Sequence, residues 1–183
     1  ARDYALFFGS LTRWHGIETM IAAVENDIWP ADFDLVIIGD GQLGPMVQEA
    51  ANRNVKIHAL ESVSQETLAG YIRGAVVGLV PINTTGGRGK FGLSPLKLYE
   101  MLASGLPVVV TDFPGQAELV RSLDAGLVVP PDDPTALARA IAVLRENPPS
   151  HDKMLEVASI IKAEHSWDNR VAEINKVLSR IAD

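Results

Sequence analysis

Short, continuous apolar runs alternate along the chain with stretches whose apolar residues recur every three or four positions. The runs at 4–9 (YALFFG), 33–39 (FDLVIIG), 55–59 (VKIHA), 75–82 (AVVGLVPI), 106–111 (LPVVVT) and 126–129 (GLVV) predict buried parallel strands. Between them the helical spacing predicts helices over 14–25, 43–53, 64–72, 95–103, 116–122 and 134–146. In the first of these Ile17, Met20, Ile21 and Val24 share one face, and Ser64 is placed to cap the third. After Asn147-Pro148-Pro149 the rhythm changes. Residues 154–164 and 166–181 read as two helices with no strand between them, packed outside the sheet or reaching toward a neighbouring domain.

Strands alternating with helices imply an α/β fold: a doubly wound, six-stranded parallel sheet with helices on both faces. If its strand order is the common 3-2-1-4-5-6, the order reverses between the first and fourth strands. A crevice then opens between the loops that follow them, 9–16 (GSLTRWHG) and 82–93. Both loops contain glycine and both carry cations, which predicts a ligand with phosphate groups. The second loop, GGRGKFG, holds four glycines in seven residues together with Arg88 and Lys90. It feeds a helix with Ser94 at the N-cap and Pro95 at the first helical position, and Gly105 stops that helix. A flexible loop leading into a helix N-terminus suits an anion, because free N–H groups and the helix dipole face it. Within the helix Lys97, Glu100 and Ser104 fall on one face, which a solvated outer surface would also explain.

Composition narrows the ligand. At 183 residues one domain is expected, and a net charge of −7 argues against nucleic acid or an anionic membrane as main partner. The chain has no cysteine, so disulfides and thiolate zinc sites are excluded. No apolar run is long enough to cross a bilayer, and no signal peptide is visible. No His/Asp/Glu cluster has metal spacing, and neither a Walker motif, GxGxxG nor a GxSxG elbow occurs, so no metal or bound cofactor is expected. Gly9-Ser10 stands where a phosphate-cradling turn belongs, and Arg13, Arg88 and Lys90 are candidates to screen a diphosphate. Asp40 sits in a GDG turn, where turn chemistry is its simplest role. His15, His58, His151 and His165 are assigned no chemistry. Glu100 is the carboxylate to single out: its two oxygens suit the adjacent hydroxyls of a ribose, with a helix contact to Lys97 as a compatible alternative.

The segments SPLKLYEMLASGLPVVVTDFPGQAELV and DAGLVVPPDDPTALARAIAVLRENP resemble the nucleotide-sugar-binding half of retaining GT-B glycosyltransferases of the "group 1" family. YALFFGSLTRWHGIETMIAAV resembles that half's opening strand, loop and helix, LVIIGDGQLGPMVQEAA its second strand and turn, and HSWDNRVAEI its tryptophan-bearing last helix. The resemblance covers nearly the whole chain. It implies a Rossmann-like donor domain in which Glu100 grips the ribose, amides around Gly92, Leu93 and Ser94 hold the diphosphate, and Gly9 lets it approach. The segment 60–63 would lie by the base. It also implies metal-independent transfer with retention, from a nucleoside-diphosphate sugar and without a further cofactor.

The chain departs from that pattern at three places. Gly92 stands where many members carry an acid eight residues before the ribose glutamate, and the chain instead resembles a subgroup with a lysine three residues before it, here Lys97. Ser10 and His15 replace the usual arginine and lysine of the first loop. The diphosphate charge then falls to Arg13, Arg88, Lys90 or Lys97. The family's acceptor-binding half precedes this one and is not in the chain, so the isolated domain is expected to bind donor weakly and to catalyse nothing efficiently. Cytoplasmic placement follows from cytosolic donors, with the full-length enzyme touching the inner membrane face through its other half. The rival readings are a sugar-nucleotide epimerase of the same fold, and a non-catalytic nucleotide-binding or donor-half subunit.

Overall fold

The computed structural model describes residues 2–182; the side chains of Arg88, Lys90, Ile181 and Ala182 lie outside the described residues. In chain order it runs β1 (Asp3–Phe8), α1 (Ile17–Val24), β2 (Phe33–Ile38), α2 (Gly44–Arg53), β3 (Ile57–Leu60), α3 (Gln65–Gly74) and β4 (Val77–Val80). It continues with α4 (Leu96–Ala103), β5 (Val108–Thr111), α5 (Gln116–Leu123), β6 (Gly126–Val129), α6 (Pro134–Glu146), α7 (His151–Glu164) and α8 (Trp167–Ala182). The sheet has six strands in the order β3-β2-β1-β4-β5-β6, and every neighbouring pair is parallel.

The pleat sends alternate residues to opposite faces, which explains the unbroken apolar runs: both faces are covered. Ala5, Phe7, Leu35, Ile37 and Leu79 pack against α1, α2 and α6, while Leu6, Phe8, Val36, Ile38 and Val80 pack against the face that carries α4, α5 and α7. Before β2, Trp29 is 2% exposed, and its indole N–H donates to the Phe33 carbonyl at 2.8 Å. Trp29→Phe keeps most of the ring volume but strands that carbonyl. It is expected to cost about 1–3 kcal/mol, read as a lower urea midpoint at unchanged slope.

Several boundaries differ from the sequence expectation. The helix expected from residue 14 is a 3₁₀ turn (Arg13–His15), then Gly16 at φ 59°, and only then α1. The third strand starts at Ile57 rather than 55, because Asn54 folds the chain back: its side-chain oxygen accepts from the Lys56 amide and its carbonyl from the Ile57 amide. Val55 is left 82% exposed. β4 and β5 are shorter than their apolar runs because Pro81 and Pro107 have no N–H to give a neighbour. Pro95, extended at ψ 126°, occupies the N-cap of α4, so the helix begins at Leu96. Ser94 does not cap it; its oxygen lies 3.5 Å from the Tyr99 hydroxyl. Ser64 does cap α3, accepting from the Thr67 amide at 3.2 Å, and Asp133 caps α6 through the Ala136 amide at 2.8 Å.

α7 contributes Met154, Val157 and Ile161 to the core beneath α4. α8 is amphipathic, and Trp167, Val171, Ile174, Val177 and Leu178 on it are each more than half exposed. Among the described residues no helix is long and apolar enough to cross a membrane.

Candidate functional site

The site is built where the strand order reverses. Past the ends of β1, β2 and β3 the chain keeps its ladder for one more step: the Gly9 amide donates to the Ile38 carbonyl and the Gly39 amide to the Leu60 carbonyl, both at 2.9 Å. The loop after β1 then bonds to the loop after β2 through the Leu11 amide and Asp40 carbonyl at 2.8 Å. Asp40 uses its carboxylate on the Ser62 amide at 3.2 Å, which is turn chemistry tying a third loop to the first two.

Asn83, 8% exposed, joins this group to the loop after β4. Its amide N–H donates to the Trp14 carbonyl at 3.1 Å and its side-chain NH₂ to the Arg13 carbonyl, while its side-chain oxygen accepts from the Thr85 amide at 3.0 Å. The loops of the predicted crevice therefore meet, bridged by a residue the sequence reading passed over. A polar residue directly after a buried strand was the one available signal.

The glycine-rich loop is a 3₁₀ segment (Thr85–Phe91), broken where Gly86 and Gly87 take left-handed φ of 72° and 66°. Gly89 sits against the Phe113 ring. The Gly92 amide closes this segment on the Gly89 carbonyl at 3.4 Å, and the Leu93 amide donates to the Pro114 carbonyl at 2.8 Å. In this structure both amides are therefore engaged within the protein. The side chains of Arg88 and Lys90 lie outside the described residues. Ser94 is exposed at the start of α4. Ser10 and Arg13 are exposed on the first loop, whose shape His15 holds: its Nδ1 lies 2.5 Å from the Ser10 carbonyl and 3.0 Å from the Thr12 hydroxyl.

Lys97 is the unusual group. From the first turn of α4 its Nζ reaches over the sheet edge to 4.0 Å from the centre of the Phe7 ring. That nitrogen is buried and has no hydrogen-bond partner among the described residues. A Cβ added at Gly9 (φ 122°) would lie 3.0 Å from it, so a side chain there would crowd the ammonium and strain the backbone. Burial pulls the Lys97 amine down from 10.5 to about 8, and the Glu100 charge opposes that shift. A buried ammonium without an acceptor is costly in water and is what an anion would satisfy.

Glu100 is exposed one turn further along α4. It lines a hollow of about 240 Å³ with Ser94, Leu96, Tyr99, His165, Trp167 and Arg170, between α4 and the start of α8. A separate, smaller hollow of about 140 Å³ opens beside Gly9, walled by Phe8, Ile38, Gly39, Ser62, Val63 and Leu68. Lys97 lines neither hollow, but its Nζ lies beside Gly9 and within the field of Glu100. Among the described residues no group of three or more His, Cys, Asp or Glu is placed to hold a metal ion.

The chain is 27% identical over 151 residues to a phosphatidyl-myo-inositol mannosyltransferase of Mycobacterium leprae, covering 82% of this chain and 39% of that protein. Its fold is similar to that of a sucrose-phosphate synthase from Thermosynechococcus elongatus, with TM-score 0.79, 23% identity, and 98% of this chain covering 45% of that one. It is equally similar to Anabaena Alr3699/HepE, solved in complex with UDP, with TM-score 0.79, 16% identity, and 98% of this chain covering 49% of that one. The chain thus spans less than half the length of each. A family model described as glycosyl transferases group 1 matches residues 2–147, four-fifths of the sequence and all of the sheet. The chain belongs to the glycosyl transferases group 1 family.

Proposed function

We propose that this chain is the donor-binding domain of a retaining, metal-independent glycosyltransferase, which moves a hexose from a nucleoside-diphosphate sugar to a glycan or glycolipid acceptor. The observation that carries the reading is the buried, unpartnered Lys97 ammonium beside Gly9, at the point where the strand order reverses. When the sugar leaves, negative charge grows on the departing nucleoside diphosphate. A fixed cation held out of water stabilises that charge without reorganising at the moment of reaction. This lets the protein's own ammonium take the part a divalent cation plays elsewhere. The exposed Arg13 of the first loop and the N-terminus of α4 add to the field. Glu100, three residues past Lys97, is offered to the ribose hydroxyls, and the hollow beside Gly9, with Ser62 and Val63 in its wall, to the base.

Two observations support a further, acceptor-binding half in the working enzyme. The chain spans less than half of the mannosyltransferase, the sucrose-phosphate synthase and the UDP-bound protein compared above, and α8 leaves an apolar stripe uncovered. With half the cleft absent, the domain alone binds donor weakly and does not turn over. Placement in the cytoplasm, where nucleotide sugars are made, belongs to the same proposal, as does contact of the full enzyme with the membrane face.

Calorimetry of the chain with UDP, GDP and ADP tests it, and at least one is expected to bind. Glu100→Ala is expected to weaken that ligand roughly tenfold, the value of a charge-assisted hydrogen bond, and to leave its 2′,3′-dideoxy analogue unaffected. If none of the three binds, the donor-site reading fails; if Glu100→Ala binds the ribonucleotide as tightly as wild type, Glu100 does not hold the ribose.

A further inference from the structure

The glycine-rich segment is held at its start from two directions. Asn83 fastens it to the loop after β1. From the other side comes Asp132, in the turn between β6 and α6, at the far edge of the sheet. One carboxylate oxygen of Asp132 accepts both the Thr84 amide at 3.1 Å and the Thr84 hydroxyl at 2.5 Å. Thr84 is the residue from which the 3₁₀ segment springs. Asp132 is also one of two non-glycine residues with positive φ among the described residues, at 58°. Such a backbone is strained for most side chains, and aspartate is among the few that tolerate it.

The place of this contact gives it meaning. Beyond Thr84 come Gly86 and Gly87, where an added Cβ would meet nothing within 4 Å, so the segment has no side-chain packing of its own there. Among the described residues it rests again at Gly89 on Phe113 and at Leu93 on Pro114. A span this open takes its position from its anchors. The first anchor is the pair of bonds Thr84 makes with a carboxylate 48 residues away.

We propose that Asp132 is a positioning residue for donor binding: acting through Thr84, it sets where the glycine-rich segment lies over the diphosphate. The inference rests on the donor-site reading above. Asp132 does not touch the ligand; its negative charge is spent on Thr84, and the segment carries the effect to the crevice.

The test uses Asp132→Gly, which accepts φ 58° without strain and removes both bonds to Thr84. Its melting temperature is expected to stay within a few degrees of wild type. Its affinity for whichever of UDP, GDP or ADP binds best is expected to fall roughly fivefold, about the value of one hydrogen bond. Affinity for the matching nucleoside monophosphate, which presents one phosphate fewer to the segment, is expected to change by less. Asp132→Asn, which tolerates the same φ and keeps an acceptor for Thr84, is expected to restore most of the loss. Thr84→Val, which deletes only the hydroxyl bond, is expected to lose affinity in the same direction. Undiminished diphosphate affinity in Asp132→Gly overturns the inference, as does an equal loss for mono- and diphosphate. A wild-type chain that binds no nucleoside diphosphate removes the donor-site reading and this inference together, whereas wild-type binding with an indifferent Asp132→Gly removes this inference alone.

Discussion

Lys97→Met is expected to make the ligand-free chain more stable and, on the proposed reading, to abolish most of its affinity for nucleoside diphosphates. Both effects come from one fact: the ammonium is buried with no acceptor among the described residues, 4.0 Å from the Phe7 ring centre. Burial lowers the amine from 10.5 to about 8, so the folded chain holds the proton less tightly than the unfolded chain does. The cost is fully present below pH 8, where both states are protonated. It declines as pH rises from about 8 to 10.5, where only the unfolded chain still holds its proton. At neutral pH the shift corresponds to a penalty on the order of 3 kcal/mol. Methionine fills a similar volume without the charge but gives up the cation–π contact, so a net gain of about 1–2 kcal/mol is expected. The gain should be largest near pH 7 and should shrink toward pH 10, which urea midpoints across that range will show. A variant less stable than wild type at pH 7 would mean that the ammonium has a partner after all.

Binding should move the other way. A phosphate oxygen seated against Nζ gives the charge its missing acceptor. Losing a charge-assisted bond of this kind costs about 2–3 kcal/mol, or roughly 30-fold to 160-fold in affinity. Because the anion favours the protonated amine, wild-type affinity should weaken as pH rises above about 8. Calorimetry at pH 8.5 in buffers of different ionisation enthalpy should then record proton uptake on binding, and Lys97→Met should abolish it. Stability that rises in Lys97→Met while nucleotide affinity stays the same would leave Lys97 a buried lysine with no part in the donor site.

The sheet was legible because its signals are local. β6 and α6 begin and end where the sequence places them, since Gly126, the Pro130-Pro131 pair, the Asp133 cap and Pro134 act within a few residues of themselves. The strand order is the common doubly wound one that the alternation allowed, and it locates the crevice without any motif. β3 was displaced because Val55 looks like a strand residue, whereas the turn that exposes it is made by the backbone and side chain of Asn54. The site was legible only as a set of candidates. Lys97 read as part of a polar helix face; its burial depends on Phe7 and Gly9, nearly half the chain away, and no periodicity records that. Asn83 and Asp132 were passed over for the same reason, since the groups they bond lie on loops distant in sequence. Glu100 was singled out by its place on the helix that leads from the crevice, and the structure adds that it opens on the α4–α8 hollow rather than on the one beside Gly9.

Gly39→Ala is expected to be among the most damaging single-methyl changes near the crevice. Gly39 has φ 145°, and an added Cβ would overlap the Gly9 carbonyl oxygen and lie 3.0 Å from its carbon. Neither strand end can give way freely. The Gly9 amide is bonded to the Ile38 carbonyl and the Gly39 amide to the Leu60 carbonyl, each at 2.9 Å, and the register beneath them pairs Phe8 with Ile38. Relief must come from parting β1 and β2 at the point where their loops diverge, or from twisting Gly39 out of its ladder bond. A destabilisation on the order of 3–5 kcal/mol is expected from combined overpacking and backbone strain. Gly44→Ala is the matched control: Gly44 opens α2 on the same loop, nothing lies within 4 Å of its added Cβ, and alanine there should be neutral or stabilise by up to about 1 kcal/mol. Urea unfolding of the two variants should therefore give midpoints on opposite sides of wild type, or one far below it and one level with it. Equal midpoints would mean that the loops after β1 and β2 do not pack backbone against backbone. Gly9 would then have no fixed place under Lys97, and the crevice would lose the floor on which the diphosphate is proposed to rest.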